Sequence, residues 1–273
     1  MPDLVINETA CTRCGLCAAT CPSGVVTLSD VGLPRYTERG SELCIACGHC
    51  EAVCPSAALA LSDPLLTPAT CALGAAEIEP ERLGAYLRMR RSIRLYRQEP
   101  VDRAAIERLM DIVRFAPTGH NRQDVHWLII HETRELRRLT GMAVDWMRET
   151  AASGSPLAER FHMNARVYAW EQGRDSICRL APHMVVAYVR EGNPVALTNT
   201  VIALAHLEII APSFGLGTSW GGIFLQALNN YEPLREALEL PFEHQAVHCM
   251  MFGYPEISFQ RPPKRKPANI IWR

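Results

Sequence analysis

Apolar positions recur with helical and strand-like spacing through the last two thirds of the chain. DRAAIERLMDIVRFAP (102–117) has the pattern of an amphipathic helix that Asp102 would cap and that would stop at Pro117. Its apolar face would consist of Ile106, Leu109, Met110 and Val113. Three short apolar runs have the length of strands: HWLIIHE (126–132), HMVVAYVR (183–190) and AVHCMMFGY (246–254).

Two longer segments are helical in pattern. Residues 196–212, preceded by Val195, form the most apolar helix candidate, and the stretch from Thr133 to Gly173 is amphipathic and rich in aromatic residues. Mixed helices and strands predict an α+β domain over residues 81–273.

The first 61 residues have few large apolar side chains and a repeated cysteine motif instead. CTRCGLCAATCP (11–22) and CIACGHCEAVCP (44–55) share the spacing C-x2-C-x2-C-x3-C-P, which is that of bacterial two-cluster ferredoxins. Three thiolates two residues apart let one loop hold three corners of a cubane, while the fourth ligand comes from elsewhere in the chain. The repeat predicts two [4Fe-4S] clusters on Cys11, Cys14, Cys17, Cys21, Cys44, Cys47, Cys50 and Cys54.

The two-cluster pattern also implies how the ligands divide. It pairs the first three cysteines of each motif with the last of the other, so that Cys54 completes the first set and Cys21 the second. Gly15 and Gly48 lie inside the loops, where the missing side chain lets amides approach the cluster sulfurs. Zinc is the alternative, although zinc ribbons usually supply two separated C-x2-C pairs.

Between these two parts, residues 62–80 contain three prolines and a glycine without periodicity, as in a linker. The expected organisation is a 2[4Fe-4S] ferredoxin-like domain at 1–61, a linker at 62–80 and a larger α+β domain at 81–273. The remaining cysteines, Cys71, Cys178 and Cys249, are interpreted as buried or idle thiols.

The amino-acid composition argues against two classes of function, nucleic-acid binding and membrane-surface binding. With 48% hydrophobic and 21% charged residues and a net charge of -1, the chain is a globular protein without the basic excess expected of a nucleic-acid or membrane-surface binder. No uninterrupted apolar run approaches the ~20 residues of a transmembrane helix, and the first residues lack a signal-peptide pattern. We therefore expect a cytoplasmic location, where clustered cysteines are usually metal ligands or redox catalysts.

A cluster of arginines near the start of the larger domain indicates a possible binding site for an anion. RMRRSIRLYR (88–97) holds five arginines and no acidic residue, which suits a phosphate group, although a solvated basic face or a nucleic-acid patch gives the same pattern. The only two lysines lie in RPPKRKP near the end of the chain. GLGTSWGGIF (215–224) follows a long helix, so it is not expected to join a strand to a helix as a dinucleotide-binding fingerprint does.

Together, RRSIR, APTGHNRQ, GLGTSWGG, GYP and KRKP, in that order, resemble the nitroreductase family of FMN-dependent oxidoreductases over residues 81–273. With the cysteine motifs before it, the whole chain looks like a ferredoxin-nitroreductase fusion. The resemblance implies FMN as a cofactor and a homodimer with FMN at the interface.

The resemblance also assigns residues by position. Arg90, Arg91 and Ser92 would hold the FMN phosphate and ribityl chain, and Arg94 would lie near the pyrimidine end of the flavin ring. A loop that reaches the flavin of the other subunit would contain Pro117, Thr118, Gly119, Asn121 and Gln123. Gly221 and Gly222 would face flavin N5 and O4, and the tail that closes on the phosphate would contain Lys264, Arg265 and Lys266.

Two positions depart from the family pattern. Where many members continue the loop as Gln-Pro-Trp, this chain has Gln123-Asp124-Val125, and where some carry an acidic residue, it has Gly221. The implied function is electron transfer from the clusters to FMN and then, as hydride from N5, to an activated organic acceptor such as a nitroaromatic, quinone or enone. An external ferredoxin or another low-potential donor would supply the electrons. The alternatives are an electron-transfer protein that serves a protein partner and an NAD(P)H-driven flavin reductase.

The aromatic residues of the helical stretch have two interpretations. Trp146, Phe161 and Tyr168 could close over a substrate, but aromatics at helical spacing usually pack in a core, which is the favoured interpretation.

Overall fold

The computed structural model describes residues 2–67 and 77–273. The chain forms two compact units: Met1–Glu77 together with Gly119–Arg122, and Ile78–Thr118 together with Gln123–Arg273. The predicted linker begins inside a strand at Ser62 and ends where a helix starts at Pro80. Cys71 lies outside the described residues, as do the other residues from 68 to 76.

The described part of the first unit contains two short antiparallel strand pairs and three single-turn α-helices. One antiparallel pair joins β1 (Asp3–Ile6) to β4 (Leu59–Ser62), and the other joins β2 (Val26–Leu28) to β3 (Pro34–Tyr36). The helices are α1 (Leu16–Ala19), α2 (Gly40–Leu43) and α3 (His49–Ala52). The buried hydrophobic residues described in this unit are few and mostly small: Val25, Val26, Cys50, Ala58 and Leu59.

The second unit is organised around a four-stranded antiparallel sheet in the order β5-β6-β8-β7. Its strands are β5 (His126–Ile130), β6 (His183–Arg190), β7 (Gly217–Trp220) and β8 (His244–Gly253). The helices are α4 (Pro80–Met89), α5 (Arg103–Val113), α6 (Thr133–Ala152), α7 (Pro156–Arg160), α8 (Met163–Glu171), α9 (Ala196–Ile210), α10 (Gly222–Asn230) and α11 (Glu232–Glu236).

Hydrophobic cores cover both faces of this sheet. Met184 and Val186 of β6 belong to one core, which includes residues of α6 and α10, whereas Val185 and Ala187 belong to the other, which includes residues of α5 and α9. Because successive side chains of a strand point to opposite faces, a strand that is covered on both sides reads as a continuous apolar run. HMVVAYVR is such a run, and its predicted bounds match β6.

The predicted elements of the larger domain are largely confirmed. The carboxylate of Asp102 accepts a hydrogen bond from the Ala104 amide at 3.2 Å and caps α5, which ends at Val113, before Pro117. The stretch from Thr133 to Gly173 contains three helices, which left-handed backbone at Gly154 and His162 helps to separate. The apolar candidate at 196–212 becomes α9 followed by a 3-10 turn, Ala211–Phe214.

The interpretation of the glycine run was wrong in one respect. Gly217–Trp220 is a strand that leads through Gly221 into α10, so the glycines do join a strand to a helix. This strand is not recognisable from the sequence because it begins with a glycine, a residue that is rare in strands. Glycine is required at 217 because an added Cβ would collide with Cγ1 of Ile93. β7 nevertheless pairs antiparallel with β8 and is not part of a parallel βαβ unit of the dinucleotide type.

One segment passes a length and composition test for crossing a membrane. Ala196–Phe214 has a mean hydropathy of 1.3, although no uninterrupted run had suggested it. Ala203, Leu204 and Leu207 of this segment are buried in the core shared with α5. A core helix of a folded domain can pass the same test, and 33% of this window is buried inside the fold.

Candidate functional sites

Four cysteines surround each of two small cavities in the first unit. The first cluster cavity is lined by Cys11, Cys14, Cys17 and Cys54, and the second cluster cavity by Cys21, Cys44, Cys47 and Cys50. This grouping, three cysteines of one motif with the last of the other, is the one that the two-cluster pattern implies. All eight thiols are free of disulfides, so each cavity offers four sulfur ligands for the predicted cubane.

The two motifs follow the same backbone path. Left-handed residues occur at equal positions in both copies, at Arg13 and Ala46 and again at Gly15 and Gly48. Each glycine directly precedes a single-turn helix, α1 or α3. Backbone amides after these glycines interact with cysteine sulfurs: Leu16 with Cys14, Ala18 with Cys17 and Glu51 with Cys50.

Hydrogen bonds and burial act on the thiols in opposite directions. Burial raises the pKa of Cys50 to about 11. Burial also disfavours the thiolate of Cys54, but the amide of Ala58, 3.2 Å from Sγ, and the hydroxyl of Ser56 outweigh it and lower the pKa of Cys54. Hydrogen-bond donors that point at sulfur stabilise a metal-bound thiolate.

Among residues 2–67 and 77–273, no three His, Cys, Asp or Glu side chains converge on a position that could hold a single metal ion.

In the second unit, the predicted phosphate arginines line a cavity of about 410 Å³, here called the Arg90 cavity. Arg90 forms an ion pair with Glu208 of α9 at 2.7 Å, and both side chains are largely buried. Partial desolvation and the positive charges of Arg265 and Arg90 lower the pKa of Arg91. The arginine of the KRKP tail therefore acts electrostatically on the segment with which it was predicted to share a phosphate.

A second cavity of about 480 Å³, here called the Arg94 cavity, lies at the amino end of α10. Arg94, Gly222 and Ile223 are among its lining residues. A Cβ added to Gly222 would meet nothing within 4 Å, so this backbone borders open space. The first amides of a helix have no partner within it, so the amides of Gly222 and Ile223 can donate to a bound group.

Strand β8 supports this glycine loop from behind. The amide of Gly221 donates to the carbonyl of Cys249 at 2.9 Å. Ser92 is joined to Thr218 by an isolated parallel bridge, and the Ile93 amide donates to the Thr218 carbonyl at 2.8 Å. The arginine segment and the glycine loop are thus fixed to the same sheet edge.

The structure does not bring all predicted cofactor residues together within one chain. The loop with Pro117, Thr118 and Gln123 lines neither the Arg90 cavity nor the Arg94 cavity. Gly119–Arg122 belongs to the first unit, where the Asn121 amide donates to the carbonyls of Ile45 and Ala46 at 3.1 and 2.9 Å. Lys264, Arg265 and Lys266 are exposed and line neither cavity.

The departure at Asp124 has a structural reason. Its carboxylate accepts from the side-chain amides of Asn193 at 2.7 Å and Asn199 at 3.0 Å, so it ties the loop to the start of α9. Proline could not make these bonds.

The aromatic residues that could have formed a lid have three different environments. Trp146 is buried in the core, Phe161 lines the Arg94 cavity and Tyr168 is 60% exposed. Sequence reasoning missed three further arginines of this cavity, Arg160, Arg166 and Arg179. They come from separate elements and form no local motif, so only the fold reveals them.

Comparison with known proteins agrees with this geometry. The model of the nitroreductase family matches residues 87–254, and the model of the 4Fe-4S dicluster domain matches residues 10–59. A nitroreductase with bound FMN from Bacteroides fragilis has a TM-score of 0.59 and 17% identity, covering 70% of this chain and 97% of its own. An FMN-dependent nitroreductase from Clostridium difficile has a TM-score of 0.52 and 15% identity, covering 71% of this chain and 100% of its own.

The two family matches confirm the expected order of a 4Fe-4S module followed by an α+β flavin-dependent oxidoreductase domain. They also confirm the cofactors implied by the motifs, FMN and [4Fe-4S] clusters. Because the first of these models spans more than half of the sequence, the chain belongs to the nitroreductase family, and a 4Fe-4S dicluster domain precedes the family's fold.

Proposed function

We propose that the protein is an oxidoreductase that passes electrons from two [4Fe-4S] clusters to FMN and then to an activated organic acceptor. The clusters supply single electrons and FMN, when bound, converts them into hydride transfer. The observation that carries the proposal is the pair of four-cysteine cavities in a chain whose second unit has cavities at the two predicted flavin-binding motifs.

The residues fit these cofactors in four places, two for the clusters and two for FMN. The first cluster cavity would take its ligands from Cys11, Cys14, Cys17 and Cys54, and the second from Cys21, Cys44, Cys47 and Cys50. Arg90, Arg91 and Ser92, with Lys264, Arg265 and Lys266, would hold the FMN phosphate and ribityl chain. Arg94 would neutralise the pyrimidine end of the ring, and the Gly222 amide would donate to the edge that carries N5 and O4.

The Arg94 cavity favours an enzyme over a carrier that only meets protein partners. At about 480 Å³ it has the size of a small-molecule site, and Phe161, Ile223 and Met251 give it an apolar part. A substrate such as a nitroaromatic, quinone or enone would stack there.

A homodimer is the expected assembly. The α9 helix is rich in apolar residues, and two of them are exposed: Leu197 at 62% and Val201 at 37%. Neighbouring exposed apolar side chains mark a surface that a partner covers, and a second copy of this chain would cover this one. The same assembly would bring the 117–123 loop of one chain to the flavin of the other, as the family resemblance implies.

The test is an anaerobic titration of the purified protein with reduced ferredoxin, and separately with NADH and NADPH, following cluster and flavin absorbance. We expect ferredoxin to reduce the clusters and then bleach FMN, and a nitroarene to restore both bands. Cys17→Ser should abolish this flow, whereas Cys178→Ala, at a buried thiol of the second unit, should retain it. FMN that stays oxidised beside reduced clusters would overturn the proposal, and bleaching by NADPH alone would assign the nicotinamide-driven alternative.

A further inference from the structure

Four guanidinium groups line the Arg94 cavity, and no carboxylate lines it. They come from four separate parts of the second unit. Arg94 follows α4, Arg160 ends α7, Arg166 lies in α8 and Arg179 precedes β6. The family resemblance accounts for Arg94 alone, so the other three have no assigned role.

Some arginines elsewhere in the described residues form ion pairs with acids. Arg138 binds Glu135 and Arg148 binds Asp145, at 2.7 and 2.6 Å. Within the described ranges, none of the four cavity arginines forms an ion pair with a carboxylate. Arg166 donates to neutral acceptors instead, from Nε to the Phe161 carbonyl at 2.8 Å and from Nη1 to the Ser176 carbonyl at 3.0 Å.

The unpaired charges repel one another. Burial, and then the positive charge of Arg179, lowers the pKa of Arg166. A bound anion would stabilise these like charges, and a guanidinium binds carboxylate in a defined planar geometry.

The loop that carries Arg179 is held in place by a separate carboxylate. Asp175 accepts from the amides of Ile177, Cys178 and Leu180 at 2.8, 2.8 and 3.0 Å, so its oxygens serve the loop backbone. This turn keeps Arg179 and Leu180 in left-handed conformations at φ 59° and 56°, which non-glycine residues adopt at a cost. The hydrogen bonds of Asp175 therefore hold Arg179 beside the cavity in a backbone conformation that is unfavourable for a non-glycine residue.

We propose that Arg160, Arg166 and Arg179 bind an acidic group of the organic acceptor, so that the acceptor is a carboxylate-bearing aromatic or conjugated compound. This inference rests on the proposed function, since it names the substrate class of the same site. The apolar lining from Phe161, Ile223 and Met251 would contact the reducible body of the molecule, and the arginines would contact its charged end. The FMN phosphate is the other anion that these arginines could bind, and the experiment distinguishes it from a substrate carboxylate.

The test compares 4-nitrobenzoate with its neutral isostere 4-nitrobenzamide. Equilibrium dialysis against the oxidised holoprotein measures the Kd of each compound for wild type, Arg160→Gln, Arg179→Gln and Arg179→Lys. Arg138→Gln, on α6 and outside the cavity, is the matched control. FMN content is measured in every variant. Reduction of the nitro group is followed after the holoprotein is reduced with dithionite and the excess dithionite is removed.

We expect wild type to bind the acid about tenfold or more tightly than the amide, and each Gln variant to lose about tenfold for the acid alone. Arg179→Lys should recover part of the loss, and FMN content should not change. Equal affinity for the two compounds in wild type, or equal losses for both, would overturn the anion site. Loss of FMN from the Gln variants would overturn it in favour of the cofactor phosphate. Selective binding of the acid without reduction would support the anion site and count against the proposed oxidoreductase function.

Discussion

The thiol of Cys249 donates a hydrogen bond to the carbonyl of Gly221 across 3.3 Å, while the Gly221 amide donates to the Cys249 carbonyl at 2.9 Å. The glycine loop beneath the predicted flavin edge is therefore held on both sides by a single residue of β8. Cys249 is fully buried, and a Cβ added at Gly221 would lie 2.6 Å from its Sγ.

Gly221→Ala should therefore displace the loop and lower FMN retention. Because a contact of 2.6 Å cannot persist, either the loop or β8 must move, at a cost of about 1–3 kcal/mol. The measurement is the FMN content after dialysis, together with the midpoint of thermal unfolding.

Removing the obstructing sulfur gives the matched control. In Cys249→Ala the Gly221→Ala change should cost clearly less, because the new methyl group occupies the space that Sγ leaves. Equal losses of FMN in the two backgrounds would show that the contact with Cys249 does not position the loop.

The cysteine grouping makes a second prediction, which concerns residues far apart in the sequence. Cys54→Ser should damage the same cluster as Cys11→Ser, and Cys21→Ser the same cluster as Cys44→Ser, because each pair lines one cavity. Each single variant should lose about four of about eight iron atoms. Iron analysis and low-temperature electron paramagnetic resonance of the reduced protein measure the loss.

Two matching pairs of spectra would support the crossed grouping. If Cys54→Ser instead resembled Cys44→Ser, each motif would hold its own cluster and the grouping would be wrong.

The third prediction concerns assembly. Leu197→Asp would place a charge on the exposed apolar side of α9, with Val201 one turn away. If this surface is the dimer interface, the variant should sediment as a monomer and retain less FMN. Leu65→Asp is the control, because Leu65 is also exposed but lies in the first unit. A Leu197→Asp protein that sediments like wild type would exclude this face as the interface.

The elements and site residues that could be predicted from the sequence are those whose pattern lies within one short segment. The cysteine spacing, the Asp102 cap and the run that becomes β6 are local, so their elements were predicted with nearly correct bounds. The strand Gly217–Trp220 was missed because its residues are small and are selected by close packing against Ile93. Arg160, Arg166 and Arg179 were missed because three separate elements bring them to one cavity.

The last prediction is that the buried His183 makes the stability of the second unit depend on pH. The rings of His131 and His183 stack with centroids 4.5 Å apart. The amide of Val101 donates to His183 Nε2 at 2.8 Å, so that nitrogen must be unprotonated and Nδ1 must donate to the His131 carbonyl. A proton on Nε2 would face the Val101 amide, donor against donor.

Burial, together with the charge of His131, lowers the pKa of His183 from 6.5 to about 4. The unfolded chain therefore takes up a proton between about pH 6.5 and 4 that the folded chain does not accept. The free energy of unfolding is highest above pH 6.5 and falls as the pH drops through this window, by roughly 3 kcal/mol for this group.

His183→Gln should remove that part of the pH dependence, because an amide can accept from Val101 and donate to His131 without titrating. All five tryptophans lie in the second unit, so the unfolding of this unit can be followed by their fluorescence in urea. The free energy of unfolding of the anaerobic holoprotein is measured from pH 7 to 4.5 for wild type and variant. The wild-type curve should fall more steeply with decreasing pH than the curve of the variant, because only wild type carries the His183 imidazole. Parallel curves would show that His183 accepts its proton in the folded state, and that the Val101 hydrogen bond does not hold it neutral.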